Sequence, residues 1–282
     1  MRQKLATLYI VATPIGNLKD ITIRALETLD NVDIVASEDT RVAKKLLNAH
    51  GISTPLISYH QHNSQQRDSQ FLHDLQQGKD IALITDAGTP LVSDPGHTLV
   101  SLCRENNIHV VPIPGACAAM TALSVNDLNI TRYCFEGFLP PKQSSRQQYL
   151  NDLLVSSQRA IILYEAKHRI IELLEDVHTV FGPQRRVMIA RELTKMHEQI
   201  VSGEIQEILQ QFREQEIPCK GEFVVIIQGD SGSAQHILDE QNMRLLFAKV
   251  APIMSHKDAV ELAKRLSSLS KNTLYDLASE YY

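Results

Sequence analysis

The stretch "IALITDAGTPLVSDPG" (81–96) is the segment of the sequence that indicates the fold most clearly. Its apolar start, residues 81–84, predicts a buried strand. Two glycines, two prolines and two aspartates follow, just ahead of a helical pattern. In open α/β sheets ligands bind at the carboxyl ends of strands. The stretch therefore predicts a sheet strand that runs directly into a binding loop.

Working outward, the chain alternates short β-rich runs with amphipathic segments, first from Leu8 to about Asn126 and again from about Tyr133. The first series predicts a mostly parallel sheet covered by helices. With 282 residues the chain is also about twice the usual domain length. We expect an α/β fold with domains at 1–126 and 127–230, followed by a small helical module at 236–282.

Three local features of the sequence predict specific structure. Asp20 should N-cap the helix "ITIRALETL", and Asn63 should cap a polar helix. The small polar segment "GDSGSAQ" (229–235) should be a flexible linker.

The composition excludes some functions. A formal charge of -5 gives no overall basic field for nucleic acid, so any contact with RNA must come from local patches. The residues from 249 to 271 form one such basic patch, which can equally be a solvated helical cap or a dimer contact. Four scattered cysteines fit a reducing compartment. Since no stretch approaches a membrane span, we expect a soluble, cytoplasmic protein without a membrane partner.

Four predicted strand ends carry unusual loops: "TPIGN" (13–17), "SEDTR" (37–41), "DAGTPLVSDPG" (86–96) and "PIPGACAA" (112–119). They contain neither phosphate-loop motif, GxGxxG or GxxxxGK. Prolines remove backbone donors, and Asp86 and Asp94 add negative charge. These loops therefore suit a ligand with positive charge, amines or ribose hydroxyls, although proline and glycine can also act as turn formers alone.

Other chemistries find less support in the sequence. It has no GxSxG motif for a serine hydrolase, and no HExxH motif or His/Cys cluster for a metal, so we expect no metal site. His60 and His62 have a spacing that can ligate a metal on a strand, but surface histidines beside a helix cap are the more common case.

Eight segments, in order, together resemble one family: "LYIVATPIGNLKDITIRALETL", "ASEDTR", "ITDAGTPLVSDPG", "PIPGACAAMTALS", "FEGFLPPK", "LYEAKHRI", "ARELTKMHE" and "GEFVVII". This is the RsmI family of bacterial ribosomal RNA methyltransferases, in the tetrapyrrole-methylase-like class of S-adenosylmethionine-dependent enzymes. The resemblance implies two α/β/α domains with the cofactor in the cleft between them, commonly in a homodimer. It also implies 2'-O-methylation of a cytidine ribose in the decoding region of small-subunit (16S) ribosomal RNA.

The resemblance assigns cofactor contacts to Pro14, Asp86, Ala87, Gly88, Thr89, Cys117, Ala118, Tyr164, Leu193 and Glu222. Two departures stand out. Asn126 and Asp127 replace a small residue and a glycine before the second domain, so that turn can differ. Cys117 stands where distant members often carry serine, so a backbone contact is expected there more than a side-chain one.

Methyl transfer to a 2'-hydroxyl benefits from a general base. The candidates are Glu38, Glu192 and Lys195, in loops that face the expected cleft. Either glutamate can instead pair with a neighbouring arginine, Arg41 or Arg191, and the lysine can instead hold an RNA phosphate. Further candidates for RNA backbone contact are Arg41, Lys142, Lys167, His168 and Arg169.

Three functions remain open at this point. The first is ribosomal RNA methylation, with free small-subunit RNA or the assembled subunit as partner. The second is a small-molecule, tetrapyrrole-type methyltransferase of the same fold. The third is a non-catalytic module that binds a nucleoside-like ligand.

Overall fold

The computed structural model describes residues 6–154, 159–229, 240–267 and 269–282. Apart from Gly229, the predicted linker at 229–235 lies outside the described residues.

The first half of the chain forms a five-stranded sheet in which every pairing is parallel, in the order β3-β2-β4-β1-β5. Its strands are β1 Thr7–Val11, β2 Ile34–Ser37, β3 Leu56–Ser58, β4 Ile81–Ile84 and β5 His109–Ile113. Its helices are α1 Ile23–Asn31, α2 Thr40–Ala49, α3 Ser64–Gln76 and α4 His97–Glu105. Apolar clusters cover both faces of this sheet. The predicted parallel sheet covered by helices is confirmed.

Two helix starts differ from the sequence-based expectation. Residues 18–20 form a 3-10 turn, so α1 begins later and Thr22, not Asp20, accepts the capping bond from the Ala25 N–H. Asn63 does occupy the N-cap position of α3. Its side chain accepts from the His60 N–H, however, and makes no capping hydrogen bond to α3. Both residue types are good caps, and the preceding turn decides between them.

The second sheet is mixed, in the order β6-β7-β10-β8-β9. Its strands are β6 Tyr133–Gly137, β7 Ala160–Ala166, β8 Arg186–Arg191, β9 Gln199–Glu204 and β10 Glu222–Ile227. The β6–β7 pairing is parallel, and the other pairings are antiparallel. The edge strand β9 was not predicted, because its sequence, QIVSGE, is mostly polar.

The helix α5, Ala118–Ser124, follows β5 in sequence but packs on the second sheet. Ala119 and Ala122 are buried against residues of β7, β8 and β10. Small side chains let the helix approach that sheet closely. The expected boundary between 126 and 127 stays a prediction.

Three helices cover the other face of the second sheet: α6 Gln143–Leu154, α7 Ile170–Phe181 and α8 Ile205–Arg213. A buried ion pair joins α6 to α7, with Arg146 Nε lying 2.6 Å from Asp176 Oδ2.

The C-terminal region contains α9 Glu240–Val250, α10 His256–Leu266 and α11 Lys271–Ala278, which share a small apolar core. Ser255 caps α10 by accepting from the Asp258 N–H. Within the described part of the chain, no helix is both long and apolar enough to cross a membrane.

Candidate functional site

A cavity of about 340 Å³ lies between the two sheets, a size typical of small-ligand sites. One wall comes from the loops that follow β1, β2 and β4, and the other from β7, β8, β10 and the start of α5. Nine of the ten expected cofactor residues line it: Asp86, Ala87, Gly88, Thr89, Cys117, Ala118, Tyr164, Leu193 and Glu222.

Pro14, the tenth, is buried in the "TPIGN" loop but does not line the cavity. The same loop supports the cavity wall through Gly16. A Cβ at Gly16 would lie 2.5 Å from Lys195 Cγ and 3.0 Å from the Leu193 carbonyl oxygen. The glycine therefore permits close packing of this loop against the segment that carries Leu193.

Backbone and side-chain bonds fix the "DAGT" loop in place. Thr13 and Gly88 exchange two backbone hydrogen bonds of 2.8 and 3.0 Å. The Thr89 hydroxyl donates to the Ala116 carbonyl at 3.0 Å. Gly88 has φ +87, which favours glycine and brings the backbone to the cavity surface. Three of the four loops singled out in the sequence therefore meet here.

Asp86 brings in the fourth loop, "SEDTR". Its Oδ1 accepts from the Asp39 N–H at 3.0 Å, and the residue remains exposed at the cavity mouth. The aspartate thus shapes the turn and also presents negative charge to a ligand.

Tyr164 organises the opposite wall. Its hydroxyl accepts from the Ala119 N–H at 3.1 Å, near the start of α5, and lies 4.0 Å from Cys117 Sγ. Phe135 and Phe138 pack edge-on against its ring at 4.9 and 5.7 Å. Burial raises the pKa of Tyr164, so its hydroxyl stays protonated. This wall is aromatic, with a fixed hydroxyl.

Carboxylates concentrate on the first-sheet side. Burial raises the pKa of Asp94 to about 6, helped by the charges of Glu38 and Asp86 and opposed by a hydrogen bond from Thr85. Burial also raises the pKa of Glu38, with a further contribution from Asp86 and an opposing one from His60. Repulsion among these groups would be relieved by a bound cation.

Glu192 and Lys195 form a linked group beside the cavity rather than in its lining. Lys195 Nζ donates to Glu192 Oε1 and to Glu222 Oε2, both at 2.8 Å. Burial raises the pKa of Glu192, but the hydrogen bonds from Lys195 and the Glu222 N–H outweigh it and lower the pKa. Burial alone would lower the pKa of Lys195, but the hydrogen bonds to Glu192 and Glu222 outweigh burial, so its pKa is raised overall. Glu192 therefore pairs with Lys195, not with Arg191.

The expected RNA contacts fall into two groups. Arg41 forms an ion pair with Asp39, with 2.6 Å between Arg41 Nη2 and Asp39 Oδ2. Arg169 donates to Glu165 and to the Leu139 carbonyl. Lys142, Lys167 and His168 are exposed. The partner of Arg41 is therefore Asp39 and not Glu38.

Some lining residues were not assigned from the sequence. The sequence indicates only negative charge for Asp94, although the residue lies in the stretch 81–96 that predicts the binding loop. Val92, Ser93, Phe138 and Glu165 also line the cavity. Among the described residues, no group of three or more metal-ligating side chains occurs, and the His60 and His62 rings lie 5.9 Å apart.

Known proteins resemble this chain at two levels. The family of tetrapyrrole (corrin/porphyrin) methylases matches residues 7–209. A protein of Escherichia coli O157:H7 named ribosomal RNA small subunit methyltransferase I is 46% identical over 97% of this chain and 94% of its own length. A protein of the same name from Pasteurella multocida is 43% identical over the full length of both chains.

The fold also has solved relatives. A uroporphyrin-III C-methyltransferase from Thermus thermophilus, complexed with S-adenosylhomocysteine, superposes with a TM-score of 0.55. It shares 14% identity, and the alignment covers 79% of this chain and 97% of that one. At this identity the likeness concerns the fold alone. From the family match and the full-length relatives, the chain belongs to the tetrapyrrole methylase family and, within it, to the group named ribosomal RNA small subunit methyltransferase I.

Proposed function

We propose that this protein transfers a methyl group from S-adenosylmethionine to the 2'-oxygen of a cytidine in the decoding region of 16S ribosomal RNA. The observation that carries the proposal is full-length similarity to proteins named for small-subunit ribosomal RNA methylation, with 43% identity over all 282 residues in one case. The cytidine and its 2'-oxygen are the finer part of the proposal and rest on the sequence resemblance.

The cavity fits a sulfonium cofactor in charge and in shape. Glu38, Asp86 and Asp94 place negative charge on its first-sheet side, and a cation offsets their mutual repulsion. The backbone at Gly88 allows close approach of a ligand. Asp86 and Glu222, at opposite sides of the mouth, are available for ribose hydroxyls or the amino group. When bound, the cofactor supplies the methyl group.

Glu38 is the best-supported general base of the three candidates. It lines the cavity, and its raised pKa makes it a stronger base than an ordinary carboxylate. Glu192 has a lowered pKa and is bound to Lys195, so it is a weaker base. We assign Glu192 and Lys195 to holding Glu222 at the cavity mouth.

RNA binding is assigned to exposed basic residues of the second-sheet domain and of the C-terminal region. Lys142, Lys167 and His168 are exposed on the second-sheet side. The basic patch at 249–271 lies on helices with their own core, which can present it as a unit. Phosphate contacts of this kind fix the register of the RNA without reading its sequence. Arg41 and Arg169 are already engaged by carboxylates, which makes them weaker candidates.

The remaining parts of the proposal concern assembly and location. We propose a homodimer that acts in the cytoplasm on free small-subunit RNA or on the assembled particle. Sedimentation of the full chain tests the dimer, and a monomer at micromolar concentration would contradict it.

The activity is tested with labelled S-adenosylmethionine and small ribosomal subunits from a strain lacking the modification. We expect label in 16S RNA, at one cytidine ribose after nuclease mapping. Label in a base, or none in RNA, would refute the proposal. Transfer to a tetrapyrrole would identify a small-molecule enzyme, and cofactor binding without transfer to either substrate would identify a binding module.

A further inference from the structure

A second depression opens beside the cavity and shares part of its lining. One side is the loop residues Leu91, Val92 and Ser93, and the other is the end of β6 with Phe138. Val92, Ser93 and Phe138 line the cavity as well. We call this depression the acceptor groove. An acceptor seated in it would have a direct path to the cavity.

Phe138 is the most unusual side chain of the acceptor groove. It is 57% exposed, although it is aromatic and lies at the junction with the cavity. Isolated exposed apolar side chains are common, and Met196 is 94% exposed without lining either site. The position of Phe138 distinguishes it. Its ring also packs edge-on against Tyr164, which holds it in place.

The backbone is arranged to present this ring. The pairing of β6 with β7 shifts register between Phe135 and Gly137, and such irregularities re-aim the following side chains. Gly137 has φ +62, and a Cβ there would lie 2.8 Å from Ser93 Oγ. Glycine therefore allows both the turn that exposes Phe138 and the close approach of the facing loop.

The facing loop is strained at two positions. Leu91 and Ser93 both have φ +70, in a region that side-chain-bearing residues rarely adopt. Strain of this kind costs energy and persists mainly at functional sites. The acceptor groove thus combines a held, exposed aromatic ring with a strained loop, and it opens into the cavity.

From this geometry we infer that Phe138 is the stacking platform for the target nucleobase, which leaves the RNA stack and enters the acceptor groove. The inference rests on the proposed function. A ribose inside a stacked helix cannot easily reach an enclosed methyl group, and enzymes that modify a base meet the same obstacle by extruding the target nucleotide. Aromatic side chains hold unstacked bases in single-stranded RNA. The base stacks on Phe138, and the attached ribose then points past Val92 and Ser93 toward the cavity.

The test compares Phe138→Leu, Phe138→Tyr and a control, Tyr133→Ala, in the full chain. Leucine keeps an apolar side chain but removes the stacking ring, and tyrosine keeps the ring. Tyr133 is an exposed aromatic residue of β6, the strand that ends just before Phe138, and it lines neither site. Methylation of unmodified small subunits is measured at varied subunit and varied cofactor concentrations.

We expect Phe138→Leu to lower kcat/KM for the subunit roughly 5- to 150-fold, as loss of one base–aromatic stack implies. The KM for the cofactor should change less than about twofold. Phe138→Tyr should restore most of the activity, and Tyr133→Ala should match the wild type.

Three results would overturn the stacking role: full activity of Phe138→Leu, equal loss in the leucine and tyrosine variants, or a loss confined to the KM of the cofactor. Absence of label with the wild-type protein is a different outcome, because it overturns the proposed function itself.

Discussion

Tyr164→Phe tests how the cavity wall is tied to α5. The substitution keeps the ring that Phe135 and Phe138 contact and removes the hydroxyl that accepts from the Ala119 N–H. Ala119 is 1% exposed, so water cannot easily replace that acceptor. Cys117, at the N-cap position of α5, accepts no capping hydrogen bond. The Tyr164 hydroxyl therefore replaces the N-cap side chain as the acceptor for a first-turn N–H of α5.

The magnitude follows from the lost bond. A buried donor left without a partner costs about 1–3 kcal/mol. Because a tenfold change in an equilibrium corresponds to 1.36 kcal/mol, local opening of α5 should become roughly 5- to 150-fold more frequent. Hydrogen exchange of the peptide that covers residues 118–124, read by mass spectrometry, reports this opening directly.

Cys117→Ser supplies the matching gain. Cys117 has the extended backbone typical of a cap, so the introduced hydroxyl can accept from a first-turn N–H of α5. We expect this change to slow exchange more in the Tyr164→Phe background than in the wild type, with a coupling of at least about 0.5 kcal/mol. The control Tyr149→Phe removes an exposed hydroxyl that bonds to Glu136 and not to α5, so it should leave exchange of α5 unchanged. Unchanged exchange in Tyr164→Phe, or equal effects of Cys117→Ser in both backgrounds, would refute this account.

Three further outcomes are expected. Glu38→Gln should lower kcat by roughly 10²- to 10⁴-fold and remove the acidic limb of the pH–rate profile, and an intact limb would exclude it as the base. Burial raises the pKa of Asp94 to about 6, so its stabilising contribution is present at low pH and is lost as pH rises through 6. Asp94→Asn should therefore gain stability over the wild type in urea between pH 4 and pH 7, by less than about 3 kcal/mol, and a constant difference would contradict this. Gly16→Ala forces a Cβ against Lys195 Cγ and should weaken cofactor affinity by up to roughly 10²-fold in calorimetry, whereas Gly51→Ala, with open space around it, should leave that affinity unchanged.

The sequence predicts most of the first sheet because its signals are local. The run at 81–84 is buried throughout, and the loop after it lines the cavity, as expected. The mixed pairing of the second sheet could not be predicted, because the direction of a strand depends on its neighbours and not on its own pattern. The start of α1 depended on whether residues 18–20 formed a turn, which Asp20 and Thr22 leave open.

Within the site, the sequence predicts residues whose backbone lies at a strand end, such as Gly88 and Thr89. It does not predict how side chains pair. Lys195 bonds to Glu192 and Glu222 from a turn in which Glu192 has φ +51, a conformation that no local motif announces. The sequence does not predict the role of Phe138, because its exposure follows from an irregularity in the pairing of β6 with β7.

The crossing of α5 onto the second sheet has a consequence for dividing the protein into fragments. A cut at the expected boundary, after Asn126, would leave α5 on the first fragment. The apolar side chains of Ile162 and Val224 on the second fragment would then lose their contact with that helix and become exposed to water. A cut at 114–116 would keep the helix with the sheet it protects. We therefore expect the second fragment to fold alone only when it begins ahead of Cys117, about ten residues before the boundary that the sequence pattern suggests.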